Sequence, residues 1–519
     1  MRLLLFLSFL STVQSLKFLV FSSQFARSHA NYIARISDVL VEAGHEVTIT
    51  APMLTTSFTG PLAKKAKVIT IPPCEQAKAF DEFLNLMSAN LWVMKHHIQM
   101  FMARRKINPI WGHACLNVLD QPGLFDSLKA EQFDAAFSES ADVCGPVLFH
   151  LLGIDKWAVT ESVAIRDGGF YVTQTPSNPS YVPSMMGNAG EEMTFRQRLS
   201  NTISYVVADV MIGVVYSDID AVIRERIPDL PPIRDILASN SLVFLNAEPL
   251  VDFPKPMSAR IIDIGGIAAA EEHKPLNKTW SSILDLRPNT ILLSFGSMAK
   301  AYTMPDEYKH TIKETFKKFP DVTFIWKYEK PQDNISAGIP NLIESTWVPQ
   351  SDLLHDPRLT VFITHCGQGS ITESIDAGIP VIVIPVLADQ LRNSHQVERN
   401  GIGLRLEKED LAREGRLAEA ITEILSNEKY RQKARKKRKM VAERPFSMKE
   451  IFVRNMEFLA KHGPLRQLDH YGKHLSFVQY YLIDVISFVC CIIGAACTIM
   501  FLIIRALIRK LFGLKMKKE

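Results

Sequence analysis

The sequence predicts an α/β protein of two doubly wound, Rossmann-like domains followed by one transmembrane helix. Three observations carry that expectation: a strand–helix–strand unit at the start, a second alternating series in the C-terminal half, and a long uncharged run near the end. A chain of 519 residues with an ordinary apolar fraction supplies two sizeable cores besides a membrane span.

Residues 1–15, MRLLLFLSFLSTVQS, combine one early positive charge, a short apolar run and small residues near the end. That is the pattern of a signal peptide, too short to span a bilayer. An N-terminal domain over 16–245 opens with an apolar strand, Leu16 to Ser22. A helix follows with Ile33, Ile36, Val39, Leu40 and Ala43 on one face, stopped by Gly44, and then a strand, Glu46 to Thr50. Phe133 to Ser138 reads as a further strand feeding a helix near 142–152. The segment 246–282, rich in proline, glycine and charge, has the composition of a linker.

The second domain, 283–445, begins at Ile291 to Phe295 and continues through a helix at 306–318 and a strand at 322–327. Two β-branched runs, LTVFIT at 359–364 and IPVIVIP at 379–385, suit strands buried on both faces of a parallel sheet. Residues 446–474 read as a return helix and juxtamembrane segment, and 480–504 as the membrane span, with no charge from Val485 to Ile504. The tail 505–519 carries Arg505, Arg509, Lys510, Lys515, Lys517 and Lys518, which predicts a cytosolic end and a single-pass type I arrangement with both domains in the lumen. The terminal KMKKE resembles a dilysine retrieval signal, so the expected location is the endoplasmic reticulum membrane.

Charge is near balance, 59 Lys and Arg against 55 Asp and Glu, which gives no reason to expect nucleic-acid binding; Lys433 to Lys439 coats a helix face. Of seven cysteines, Cys490, Cys491 and Cys497 lie in the span, and the scatter of Cys74, Cys115, Cys144 and Cys366 fits neither a disulfide scaffold nor a zinc site. Their pairing stays open. Asn277 and Asn334 head glycosylation sequons, whereas Asn178 is disqualified by Pro179.

The stretch Trp347 to Gln390 carries the chemistry. After the first of its strands, His365-Cys366-Gly367-Gln368-Gly369-Ser370 leads into a helix, so backbone N–H groups point at whatever occupies the crevice above the strand ends, a place that suits an anion. Asp389 and Gln390 follow the second strand and suit sugar hydroxyls. The ordered set Trp347, Gln350, His365, Gly369, Ser370, Glu373, Asp389 and Gln390 resembles the signature of the UDP-glycosyltransferase family, the membrane-bound UDP-glucuronosyltransferases in particular, and Gly367 joins the expected UDP-sugar-binding residues.

The resemblance implies a GT-B architecture, with Trp347 stacked on uracil, Gln350 and Glu373 on the ribose side, and His365 with the Gly369 and Ser370 backbone on the phosphates. Ser297 resembles the family's phosphate-contacting serine. Asp389 and Gln390 would hold the sugar. Cys366 stands where the family usually has a second glycine.

Transfer to a hydroxyl needs a base. His29, in Ala26-Arg27-Ser28-His29-Ala30, matches the family's catalytic histidine, at a helix N-terminus that favours a neutral ring. Glu139, after the strand Phe133 to Ser138, is the candidate carboxylate partner, although the family commonly has aspartate there; Asp142 is the fallback. Asp218-Ile219-Asp220 resembles a metal-binding DxD but sits in a helix-like stretch, so no metal and no cofactor are expected.

The expected reaction is an inverting, metal-independent transfer from UDP-glucuronate to a small lipophilic acceptor. UDP-glucose competes as donor, since Lys327 stands where related enzymes often carry arginine. A non-catalytic lumenal binding protein and a nucleotide-sugar epimerase are the rival readings, and a homo-oligomer is compatible with the sequence. The stripe Phe83, Leu86, Leu91, Trp92, Met94, Met100 and Phe101 reads first as helix core and second as acceptor-pocket lining.

Overall fold

The computed structural model describes residues 15–56, 63–94, 105–164, 167–168, 170–269 and 273–515. The signal-peptide expectation, apart from Ser15, and Met100, Phe101, Lys517 and Lys518 lie outside the described residues.

The first sheet is wholly parallel and has seven strands: β1 (Lys17–Phe21), β2 (Glu46–Pro52), β3 (Lys67–Ile71), β4 (Ala135–Glu139), β5 (Trp157–Glu161), β6 (Leu242–Leu245) and β7 (Ile261–Asp263). Their order, β3-β2-β1-β4-β5-β6-β7, reverses between β1 and β4. The second sheet repeats the plan with β8 (Asn289–Ser294), β9 (Val322–Lys327), β10 (Leu342–Ser345), β11 (Leu359–Thr364), β12 (Val381–Val383) and β13 (Gly403–Arg405). Its order, β10-β9-β8-β11-β12-β13, reverses between β8 and β11. In such sheets ligands bind beyond the carboxyl ends of the strands at the reversal.

The crossover helices follow from sequence. α1 (Arg27–Glu42) buries Ile33, Ile36, Val39 and Leu40 against the sheet. α2 (Ala77–Asn90), α3 (Asn108–Leu119), α4 (Cys144–Leu152) and the long α5 (Phe195–Arg226) belong to the first set. In the second, α6 (Asp306–Lys317), α7 (Gln350–His355), α8 (Gln368–Ala377) and α9 (Asp389–Asn400) flank the six strands. A disulfide, Cys115–Cys144, fastens α3 to the start of α4, settling a pairing the spacing could not.

Segment 246–282, expected as a linker, in part extends the first sheet. β7 pairs with β6 there because Ile261 and Ile264 have a core to enter. α10 (Met448–His462) returns to the first sheet, where Phe452 packs edge-on against Phe137 and Phe244 at 5.8 and 4.9 Å. Of the aromatic stripe in the first half, Leu91 and Trp92 are buried in the core of the second sheet beside Met87, with Trp92 edge-on to Phe295 at 4.9 Å, whereas Leu86 is exposed and not core as expected.

Residues from Asp469 onward form a separate unit. Its helix α11 (Ile483–Lys515) contains 30 residues, Ile483–Phe512, long and apolar enough to cross a membrane. It runs past the expected end at Ile504, since Leu507, Ile508, Leu511 and Phe512 sustain the apolar pattern between Arg505, Arg509 and Lys510.

Phe452 is wholly buried where α10 meets the sheet. Phe452→Ala is expected to cost about 3–5 kcal/mol of stability, read as a lower urea midpoint.

Candidate active site

β1 and β4 lie side by side with Phe21 opposite Ser138, so Glu139 projects from the sheet edge just where the chain after β1 enters α1. His29 stands in the first turn of that helix, which no side chain caps. Its Nδ1 lies 2.7 and 2.8 Å from the two Glu139 carboxylate oxygens. The Ser162 hydroxyl donates to Glu139 Oε1 at 2.5 Å, and its oxygen lies 2.9 Å from His29 Nδ1. Glu139 is almost wholly buried, whereas the His29 side chain keeps about a quarter of its surface open. Phe25 packs on the imidazole at 4.8 Å. With Nδ1 held by the carboxylate, the ring is oriented and Nε2 is the nitrogen left to exchange a proton.

Asp142, the fallback partner, points elsewhere. It accepts from the Ser23 N–H at 2.7 Å, and burial pushes its carboxyl up to about 7.

The second sheet builds a matching edge. β8 ends at Ser294 opposite Thr364 of β11, bringing Gly296 and Ser297 beside His365. A Cβ on Gly296 would fall 2.6 Å from His365 Cε1, and one on Gly367 2.6 Å from Nε2. Both glycines therefore make room for the ring. Burial pushes His365 down to about 4, helped by the Lys327 charge, so at neutral pH it offers a neutral N–H.

α8 begins at Gln368 with no side-chain cap, leaving the Gln368, Gly369 and Ser370 N–H groups at a helix N-terminus. A Cβ on Gly369 would meet nothing within 4 Å, so open space lies in front of it. Cys366 has φ +67°, the left-handed region that favours glycine, and its thiol is buried, which raises it well above the ordinary range. It is no nucleophile.

On the rim, Trp347 is 63% exposed, an open aromatic face. Gln350 at the start of α7 donates to Glu373 of α8 at 2.6 Å. Gln390 folds back, its Oε1 accepting from the Val386 and Leu387 N–H groups at 2.9 and 3.0 Å, which leaves its amide NH₂ as the available group. Asp389 accepts from Asn393 at 2.8 Å. Burial raises its carboxyl, against the pull of Asn393 and of the His29 imidazole.

The structure thus brings His29 and Glu139 together on one edge and gathers Ser297, Trp347, Gln350, His365, Gly367, Gly369, Ser370, Glu373, Asp389 and Gln390 around the other. Lys327 donates to the Gly296 carbonyl at 2.7 Å and pairs with Glu329 at 3.0 Å, which makes it a support of the glycine turn. Ser162 was missed; its place directly after β5, on the same sheet edge, was the available signal. Asp218 and Asp220 accept from Asn108 and from the Ile233 N–H, at 3.0 and 3.1 Å. Asn277 is exposed and caps a short helix through Trp280 N–H, and Asn334 is exposed in a left-handed turn.

A model of the family described as UDP-glucoronosyl and UDP-glucosyl transferase matches residues 17–518, so the chain belongs to that family. A Caenorhabditis elegans relative named "Putative UDP-glucuronosyltransferase ugt-48" is 30% identical over 502 residues, covering 94% of each chain. UDP-glucuronosyltransferase 1A7 of Mus musculus is 26% identical over 500 residues, 94% of this chain and 91% of the mouse protein. Among solved structures, a UDP-glucosyltransferase from Polygonum tinctorium aligns with TM-score 0.57 at 16% identity, covering 87% of this chain and all of the plant enzyme. The glycosyltransferase SnogD from Streptomyces nogalater gives 0.55 at 15% identity, covering 86% of this chain and all of SnogD. The fold is GT-B, and the chain is an enzyme of the UDP-glycosyltransferase class.

The buried Asp142 gives a pH test. Its folded pKa lies above its unfolded value, so between about pH 4 and 7 the folded state keeps a proton that the unfolded chain releases, and stability falls as pH rises through that window. Asp142→Asn should therefore gain on the wild type by up to about 1.4 kcal/mol per pH unit between pH 5 and 7, measured by urea denaturation. A constant difference across that range would place the proton elsewhere.

Proposed function

We propose that the protein transfers glucuronate from UDP-glucuronate to a hydroxyl of a small lipophilic acceptor, with inversion, in one displacement and without a metal or cofactor. The observation that carries the reading is the His29–Glu139 pair, with Nδ1 on the carboxylate and about a quarter of the His29 side chain left open. The acceptor oxygen forms a bond to the anomeric carbon as the bond to the UDP oxygen breaks. His29 Nε2 takes the hydroxyl proton, and Glu139 stabilises the imidazolium that results.

The departing diphosphate gains charge, and the uncapped start of α8, Ser297 and neutral His365 supply N–H and O–H donors there rather than cations. Trp347 offers its face to the uracil, Gln350 and Glu373 the ribose contacts, and Asp389 with the Gln390 amide the sugar hydroxyls. Glucuronate follows the glucuronosyltransferase relatives. One observation favours UDP-glucose as the second reading: Lys327, which stands where related enzymes often carry arginine, is already engaged by Gly296 and Glu329.

The apolar helix α11 and the Cys115–Cys144 disulfide suit catalysis in an oxidising lumen, with the tail lysines for retrieval in the endoplasmic reticulum and Asn277 and Asn334 open to glycosylation.

The test is product mass after incubating detergent-solubilised protein with an acceptor panel and each donor separately. His29→Ala is expected to lower kcat by about 10²–10⁴-fold while UDP still binds; unchanged transfer would remove His29 from the role of base. Trp347→Ala should weaken UDP binding by about 1–3 kcal/mol, measured by calorimetry, with the loss appearing in donor KM.

A further inference from the structure

Away from the cleft edge, three side chains that the transfer reaction does not use meet behind the helices that carry Gln350 and Glu373. His355 is the last residue of α7, Asp376 lies one turn beyond Glu373 on α8, and His273 comes from the segment that joins the two sheets. We propose that His273, His355 and Asp376 bind a divalent transition-metal cation of the zinc class.

The geometry supports three ligands from three elements. One donor atom from each residue lies within 4.8 Å of the other two. His355 Nε2 is 3.1 Å from Asp376 Oδ2, and His273 Nε2 is 3.8 Å from the same oxygen. The outer nitrogens complete a pattern usual for metal-bound histidine, in which the second ring N–H is held by a carbonyl or carboxylate. His355 Nδ1 donates to the Ser351 carbonyl at 2.8 Å, and His273 Nδ1 faces Asp352 Oδ1 at 3.9 Å.

With its Nδ1 proton held by Ser351, His355 turns the Nε2 lone pair toward an oxygen that also carries only lone pairs, so something positive belongs between them. A proton serves that pair alone. It leaves His273 unexplained, because its contacts to Asp376 and Asp352 are too long for hydrogen bonds and its buried Nδ1 has no hydrogen-bond partner. A cation bonded to both Nε2 atoms and Oδ2 satisfies all three and draws His273 toward Asp352.

The donor set is imidazole with one carboxylate, which suits zinc better than magnesium or calcium. The rings now stack at 3.3 Å, 16° from parallel, and must splay to aim both lone pairs at one ion, a motion open to His273 on its loop. Water supplies the remaining position. Bound metal would clamp the inter-sheet segment to α7 and α8, reinforcing the bond from Lys274 N–H to Asp352 at 3.2 Å. This is a structural or regulatory site, independent of the proposed reaction.

The experiment uses full-length protein without a histidine tag, stripped with EDTA and titrated with zinc chloride by calorimetry, with magnesium chloride as control. One zinc per chain and no magnesium are expected. His273→Asn and His355→Asn should each weaken zinc binding about tenfold or more. Zinc should raise the thermal midpoint of the wild type and not of the variants, whose midpoints in EDTA match the wild type. Equal zinc binding by the wild type and the double variant would overturn the proposal. Should a variant fail to fold, cobalt(II) added to the wild type decides. Intense visible bands of a four-coordinate site support it, and a spectrum no different from free cobalt(II) refutes it.

Discussion

The register of β1 against β4 is the constraint on which the site depends. Phe21 sits opposite Ser138, which places Glu139 and the entry to α1 on the same edge at the point where strand order reverses. A slip of one residue would turn Glu139 to the other face of the sheet. Burial on both faces forbids it. Leu19 and Phe21 belong to the core on one side of the sheet, and Phe18 and Val20 to the core on the other. Ser162, emerging after the neighbouring β5, then closes the carboxylate from a third direction. The disulfide at Cys144 fixes the helix that begins five residues beyond Glu139.

The second sheet solves a different problem with the same topology. Its reversal between β8 and β11 gathers a turn with Gly296 at φ +75°, a histidine too enclosed to hold a proton at neutral pH, and an uncapped helix start. Fixed N–H dipoles replace mobile cations there. Lys327 is turned into the Gly296 turn at 2.7 Å and serves to hold it.

Much of this was legible in the sequence because the signals were local. Runs such as LTVFIT and VTFIWK have one stable use, a strand buried on both faces, and the glycines and polar residues after them mark the carboxyl edge. From the edge rule alone His29 and Glu139 could be set on the same side, although 110 residues separate them in the chain. What was not legible depends on partners distant in sequence. Trp92 looks like any helix-core tryptophan, and only the fold shows that the core it enters belongs to the other sheet. β7 is three residues long and gains its identity from β6. Cys115 and Cys144 pair because α3 lies against α4. Cys366 at a left-handed position defies the local rule, and it is accommodated because its side chain fills the core beside Ile371 and Val383.

The two sheets must also be held so that their edges face each other, and the ties are polar where they are most buried. Trp92 donates to the Lys300 carbonyl at 3.0 Å, and Lys408 donates to the Leu91 and Met94 carbonyls at 3.1 and 2.6 Å, anchoring the first half in the second. On the other flank Arg392, three residues after Asp389 on α9, pairs with Asp252 at 2.6 Å, lies over Phe253 and donates to the Pro183 carbonyl at 3.2 Å. Burial alone would raise Asp252, yet Arg392 and Lys255 outweigh it and hold the carboxyl well below the usual range. A buried ion pair is a poor source of net stability, since desolvation consumes most of its attraction, but it tolerates little displacement. Its value here is positional. It holds the start of α9, which carries Asp389, against the segment that follows β6, and the Arg399–Glu191 and Arg444–Glu248 pairs at 2.7 and 2.6 Å add charged ties between the same halves.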